Sequence, residues 1–552
     1  MGVAAPTAAG VLRPSIGPVA VLVVLTFAVS AATLLLAGGI PSGPERPQAF
    51  AYLLSRNEPA AAWLSCGLIL LAAVASRLFP RACENVLVLR LAADPRPFVA
   101  AMTLSLAAAA VLVYRAHPLA MDEYAPVFQA HAFARFSLSG KVPPELVPRI
   151  APPSQFWFIQ ARPSGELISS YWPGFALLLT PFVWLRVPWL LNPLLGGATL
   201  LVLWRLVRKL WPETPAPGWA VLLAASSPAF VVNSISFYSM SAHLLAALAF
   251  AGLMLEKRHV AAGAVGSLAL VLHNPLPHAL YALPWIAWAA LRPEGVRNLA
   301  RLAFGYLPGS LVLGLGWFLF RTGFQPAATG GPGGLSGLSA SLARVAFAPP
   351  SLELLWSRSV NVAELALWAV PALLPLSCIG AWARRNEVGP RLIALSALSV
   401  FVGYLFVPFD QGHGWGFRYF HVAWGALPLL GAAALVSPVA ERPPMRGLML
   451  FAALANLVAG NLLRCAQVRS FIDAHLAQIP APPERSRLEI VMVHVHSGYY
   501  TIDLVQNDPF LEGSRWVLMS RGLDDDRHFI QQAFPKARLA ASSETATVWQ
   551  VE

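Results

Sequence analysis

The chain has 552 residues, 57% hydrophobic and only 12% charged, with a mean hydropathy of +0.60 and a formal net charge of +12. Soluble domains carry about a quarter charged residues, so this composition excludes an ordinary soluble protein and indicates a polytopic membrane protein. The Lys and Arg residues sit in short clusters at helix ends, which is a topology signal and argues against a nucleic-acid surface.

A membrane span needs roughly 20 apolar residues. The run Ile16–Leu36 is long for a signal-peptide core and only Arg13 precedes it, so it reads as a retained first span. Further spans are expected near 60–78 and 97–115, and the loop between them, with Arg81, Arg90 and Arg96, belongs in the cytoplasm. Residues 116–170 then lie outside. This segment is rich in Pro and too long for a turn, and long loops of this kind are usually functional or disordered. Residues 171–191 are apolar but interrupted by Pro173, Pro181, Arg186 and Pro188, and read as a juxtamembrane or re-entrant segment. Ten more spans are placed near 192–208, 218–233, 238–255, 259–275, 276–291, 302–320, 361–382, 391–408, 418–437 and 446–463, giving about 13 transmembrane helices. A second outer loop, 321–360, carries a glycine-rich tract. The tail 464–552 changes composition: RLEIVMVHVHSGYYTIDLV alternates with period two, RWVLMS and ATVWQVE read as strands and DDRHFIQQAF as a helix, which together make a small soluble α/β domain on the outer side. The expected division is 1–96 (extra N-terminal helices), 97–463 (membrane core) and 464–552. Cys66, Cys83, Cys378 and Cys465 are widely spaced and show neither a disulfide framework nor a metal motif.

Five groups of residues could carry chemistry. Asp122 and Glu123 open a short helix just past a span, in MDEYAPVFQAHAFARF. Adjacent residues on a helix point about 100° apart, so one carboxylate can face a reaction centre while the other bonds the scaffold. A partly dehydrated carboxylate can act as general base, but acidic residues in a first helical turn also favour the dipole without doing chemistry. GHGWGFRY brings His413 and Arg418 to the start of a span; Arg offers a planar fork suited to phosphate, or simply snorkels. LHNPLPH, with His273 and His278, reads as a polar turn rather than a metal site. His494 and His496 alternate on a strand and read as ordinary strand residues. Asp524 to Asp526 read as a solvated helix start. Among the basic residues of the outer loops, Lys141, Arg149, Arg162, Arg321, Arg344 and Arg358 could neutralise a lipid phosphate or contact headgroups.

Four pieces in order carry a resemblance: Asp122-Glu123-Tyr124 followed by AHAFARFSLSGKVP; SSYWPGFALLLTPF (169–182); LLGGATLLVLWRLVRKLW (194–211); and FRYFHVAWGALPLL (417–430). Together they resemble the GT-C superfamily of membrane glycosyltransferases, nearest to bacterial relatives of protein O-mannosyltransferases and aminoarabinose transferases. The resemblance implies Asp122 as the base, with Glu123 as partner or alternative, and a polyprenyl-phosphate sugar donor attacked with inversion. Arg418 is carried over as a donor-phosphate contact, with His413 and Lys141 as further phosphate candidates. The acceptor would be an envelope lipid, glycan or protein, and the location the plasma (inner) membrane with the site on the extracytoplasmic side. Some relatives use a divalent metal; no ligand set is visible here. Trp172 stands where the family often has the first Pro of a Pro-Pro pair, and two spans precede the usual first one. The rival readings are a flippase of lipid-linked sugars, which would need polar residues within the spans, and a non-catalytic assembly protein acting through its tail.

Overall fold

A computed structural model describes residues 17–39, 49–79, 86–152, 157–324, 350–407, 411–412, 414–438, 443–482 and 487–551. The chain is mostly helical, and its apolar helices are those of a membrane protein. Helix α1 (Pro18–Gly38) packs along α2 (Ala49–Leu78), and α2 packs along Pro443–Ala455. Two short helices follow, α3 (Val86–Ala93) and α4 (Arg96–Leu112), bent by 94° about the Asp94-Pro95 break.

The expected count of thirteen spans is not reached. Five helices are long and apolar enough to cross a membrane, or six if α3 and α4 form one bent span. The difference has a local cause: several expected spans are broken. The stretch 218–233 divides into Ala216–Ala225 and Pro228–Asn233 at Ser226-Ser227-Pro228. Residues 361–382 divide where Pro371 meets Ala372, which is left-handed at φ 68°. A proline cannot donate the helical N–H, and a left-handed residue ends the helix before it. Residues 418–437 form a 3₁₀ turn, Arg418–Ala423, and then a helix, Ala426–Leu435. Ten helical residues rise only about 15 Å, half of a hydrocarbon core. The segment 171–191 contains an 11-residue helix, Gly174–Trp184, which is likewise too short to span alone.

Residues 116–170 are folded, not loose. Helix α5 (Met121–Ala134) is followed by a three-stranded antiparallel sheet, β1 (Gly140–Lys141), β2 (Ile159–Ala161) and β3 (Glu166–Ser169), in the order β1-β3-β2. The C-terminal sheet has the order β5-β4-β7-β6, with β4 (Leu488–Val493) parallel to β5 (Arg515–Met519) and antiparallel to β7 (Ala546–Val551), and β6 (Arg538–Ser542) on the edge. β6 has no counterpart in the sequence reading. β4 is shorter than the alternation suggests, so His494 and His496 lie beyond its end, and His494 Nδ1 faces the Glu544 carbonyl. Helix Leu523–Ala533 also corrects an expectation. Asp526 at its start is buried and accepts from Arg149 at 2.6 Å, while Asp525 takes the other arm of the same guanidinium. Arg149 is thus a strut to the C-terminal domain and has no headgroup to meet.

One core cluster joins α5, β2 and β3 to the C-terminal domain through Tyr124, Phe128, Leu167, Ile490, Met492 and Leu518. A second feature missed in the sequence lies inside the helical bundle. Glu58 of α2 and Arg464 of Asn461–Leu476 form a two-armed ion pair at 2.7 and 2.9 Å, both nearly solvent-free, with Trp368 donating to Glu58 and lying under the guanidinium. A buried pair contributes little over an apolar substitute, but removing one partner strands the other charge. Glu58→Ala is expected to destabilise the protein by about 3–5 kcal/mol, read as a lowered unfolding midpoint in detergent, with Glu58→Ala/Arg464→Leu partly restoring it.

Candidate active site

The site is built on the N-terminus of α5. Ala120 is extended at the N-cap position, and Asp122 and Glu123 fill the first turn, where carboxylates suit the helix dipole. Their environments differ completely. Glu123 is solvent-free and accepts four hydrogen bonds: from Tyr114 OH (2.8 Å), Leu119 N (2.7 Å), Ala120 N (3.3 Å) and Phe237 N (2.8 Å). The bonds to 119 and 120 are the reach-back half of a capping box. The bond to Phe237 ties α5 to the turn between Pro228–Asn233 and Met240–Leu255. Burial pushes the Glu123 carboxyl up to about 7, against the four donors that favour its ionised form.

Asp122 keeps a side-chain exposure of 20% and faces a cluster instead of the scaffold. Arg418 Nη1 donates to its Oδ2 at 2.6 Å, and the Tyr171 hydroxyl donates to Oδ1. Burial alone would raise this carboxyl; the Arg418 charge and the Tyr171 hydroxyl outweigh it and hold the group below its ordinary value. Pro126, four residues on, has no N–H to offer the Asp122 carbonyl, so that oxygen loses its helical donor beside the carboxylate.

Arg418 is itself fixed. Its backbone N–H donates to Gln411 Oε1 at 2.8 Å, and its Nη2 donates to the Gln411 carbonyl. Gln411 Nε2 closes the loop onto the Gly416 carbonyl at 2.7 Å. Gly416 is left-handed at φ 68°, and a Cβ there would meet the Trp368 side chain at 3.1 Å, so only glycine suits this turn. The guanidinium lies over the Tyr238 ring, 4.8 Å from its centroid. Its Nε has no partner among the described residues. His273, from the turn before Leu276–Ala290, packs on Tyr171 with ring centroids 4.1 Å apart; burial pushes it down to about 4, so it is neutral at pH 7.

The structure therefore brings Asp122 and Arg418 together and gives Glu123 a scaffold role. Lys141 is exposed on β1, donates to the Ser164 carbonyl at 2.7 Å and stays apart from this cluster. His413 and Arg344 lie outside the described residues. Arg162 pairs with Glu166, Arg321 donates to the Ser170 carbonyl, and Arg358 donates to the carbonyls of Tyr404 and Val407. His278 bonds the Tyr306 hydroxyl at 2.7 Å. Tyr171, Gln411 and Asn274 gave no site signal in sequence. Tyr171 stands within the SSYWPG piece, two residues before the proline, and that was the only clue to it. Among the described residues no group of three or more His, Cys, Asp or Glu side chains could hold a metal ion.

The C-terminal domain reaches this helix directly. Met121 N, next to Asp122, donates to Asp503 Oδ1 at 3.0 Å. The Tyr124 hydroxyl donates to the Asn507 carbonyl at 2.7 Å and accepts from its N–H at 2.8 Å.

Beside the site runs an apolar groove of ≈ 1040 Å³, open to the surface, between the end of α5, Gly174–Trp184 and Gly295–Thr322; Phe133, Leu177, Trp184, Trp317 and Phe320 line it. Trp317 Nε1 donates to the Tyr171 carbonyl at 2.9 Å, so the groove wall and the Asp122 cluster share a residue.

No protein-family model matches the sequence, and no curated protein does. Among solved structures, ArnT from Cupriavidus metallidurans bound to undecaprenyl phosphate superposes with a TM-score of 0.52 at 12% identity, covering 82% of this chain and 98% of that one. The chain has the GT-C fold. The apo form of the same ArnT aligns at 13% identity over 83% and 98% of the two chains, with a TM-score of 0.49.

The two carboxylates are expected to separate in a stability measurement. Gln at 123 has one acceptor oxygen where four donors converge, so Glu123→Gln is expected to cost about 2–4 kcal/mol. Glu123 is raised in the folded state, so its ionisation works against folding: its contribution is most favourable below about pH 4.5 and declines as the pH rises through about 7. Melting curves should show the gap between wild type and Glu123→Gln narrowing across that window.

Proposed function

We propose that the protein is an integral membrane glycosyltransferase that moves a sugar from a polyprenyl-phosphate donor to an extracytoplasmic acceptor with inversion. The observation that carries this reading is the Asp122–Arg418 pair: a carboxylate and a guanidinium, fixed by separate scaffolds, beside an apolar groove. The GT-C fold, and the undecaprenyl phosphate named with the superposed ArnT, support a polyprenyl carrier. The groove would take the isoprenoid chain. Arg418, with planar donors and a partnerless Nε, would take the phosphate.

In the reaction the donor phosphate draws Arg418 from Asp122. The acceptor hydroxyl attacks the anomeric carbon from the face opposite the phosphate. The bond between that carbon and the phosphate oxygen breaks, and polyprenyl phosphate leaves with the electron pair, its charge stabilised by Arg418. The hydroxyl proton passes to Asp122. Tyr171 orients the carboxylate. Asp122 is ionised throughout the neutral range because its carboxyl is held low, so it accepts a proton without first having to lose one.

A specific observation favours the flippase reading as a second possibility: Glu58 and Arg464 are charged and lie on two helices long enough to span. Each satisfies the other, however, and Trp368 closes the pair, which suits a fixed brace better than a moving gate.

The test is release of polyprenyl phosphate from a panel of polyprenyl-phosphate sugars by the protein in nanodiscs with envelope acceptors. Asp122→Asn is expected to lower the rate by about 10²–10⁴ with donor binding retained. Turnover that survives this substitution would contradict the assignment of the base. Donor movement across the bilayer without release would favour the flippase.

A further inference from the structure

Next to Arg418 lies a cavity of ≈ 370 Å³ lined by Met240, His243, His273, Asn274, Tyr404 and Tyr419, among others. His243 is its unusual member. The residue is 1% exposed, and neither of its ring nitrogens has a hydrogen-bond partner among the described residues. Buried polar atoms in native proteins are almost always paired, so an imidazole with both nitrogens unsatisfied on a cavity wall calls for a ligand. Asn274 stands on the same wall, its Oδ1 accepting from Leu276 N at 3.1 Å, which leaves the amide NH₂ as donor. Tyr404 and Tyr419 stack with centroids 4.6 Å apart and an interplanar angle of 14°, a rigid aromatic wall. The Arg418 guanidinium closes the end nearest Asp122.

We infer that this cavity holds the pyranose ring of the donor, with His243 and Asn274 reading its hydroxyl groups and Arg418 at its phosphate end. The inference rests on the donor-binding reading of the site and adds the sugar's position and class. A hydroxyl donates and accepts at once, and a neutral imidazole offers one of each. The apolar faces of a sugar ring suit the tyrosine wall, while its hydroxyls suit the imidazole and the amide. The wall formed by His243, His273 and Asn274 carries no carboxylate; the nearest, Asp122, is engaged by Arg418 and Tyr171. An ammonium at the His243 end would meet one acceptor and the imidazole N–H, with no counter-charge. The cavity therefore selects a neutral, hydroxyl-bearing sugar over an amino sugar. A site built to pair a hydroxyl discriminates strongly against analogues that cannot pair with it.

The experiment measures binding, not turnover. The full-length protein in nanodiscs is titrated with undecaprenyl phosphate, with an undecaprenyl-phosphate hexose bearing only hydroxyls, and with the corresponding 4-amino-pentose carrier, for wild type, His243→Leu, His243→Gln and Asn274→Ala. The expected result is that the hexose adds at least tenfold to the affinity of the bare carrier and exceeds the amino sugar. His243→Leu should abolish most of that increment while leaving bare-carrier affinity unchanged, and His243→Gln, which keeps a donor and an acceptor, should restore part of it. Equal affinities for hexose and bare carrier, a tighter amino sugar, or an increment that survives His243→Leu would overturn the cavity assignment and leave the glycosyltransferase reading standing. Failure of wild type to bind even the bare carrier would overturn that reading, and the inference with it. Retained carrier binding in each variant shows that it is folded.

Discussion

The geometry of the site depends on one buried anion. Glu123 sits without solvent among four donors drawn from three parts of the chain: the end of α4, the entry to α5 and the turn at Phe237. Desolvating a carboxylate is costly, and only a full set of hydrogen bonds offsets it. With that cost met, the first turn of α5 has a single position in the bundle. The residue before Glu123 then points, one helical step of about 100° away, toward Arg418 and Tyr171. Neighbouring carboxylates thus divide the work: one holds the helix, and the other is presented to a ligand.

The second support comes from the far end of the sequence. Asp503 receives the N–H of Met121, and Asn507 exchanges two hydrogen bonds with Tyr124, so the C-terminal domain grips α5 on both sides of the acidic pair. The shared core through Tyr124, Phe128, Ile490 and Leu518 makes this a packed junction. Removing the domain would expose that core and free the helix start. The domain's first effect is therefore on the placement of Asp122, whatever it also does toward an acceptor.

Much of this was legible in the residues, and what was hidden has a physical reason. Composition announced the membrane, and the local acidic pair, the SSYWPG piece and the Arg-Tyr helix start announced the GT-C pattern. Which carboxylate serves which role was open, because the donors to Glu123 come from Phe237, over a hundred residues away, and a single sequence does not display such contacts. The span count failed where Ser226-Ser227-Pro228 and Pro371-Ala372 break helices that hydropathy alone runs together. Arg149 and Asp526 each looked solvated on its own; their pairing across 377 positions buries both. His243 looked like one more helix residue in SMSAHLL, and only the cavity beside Arg418 gives it a role.

The central claim is that Asp122 and Arg418 form a latch that a donor phosphate opens. The direct measurement is a structure of the protein in nanodiscs with undecaprenyl phosphate. The account expects the phosphate within hydrogen-bonding distance of the Arg418 guanidinium, the isoprenoid in the groove lined by Trp317 and Phe320, and the Asp122 carboxylate released from Nη1 but still held by Tyr171. A phosphate bound elsewhere, with the Asp122–Arg418 pair intact, would contradict it.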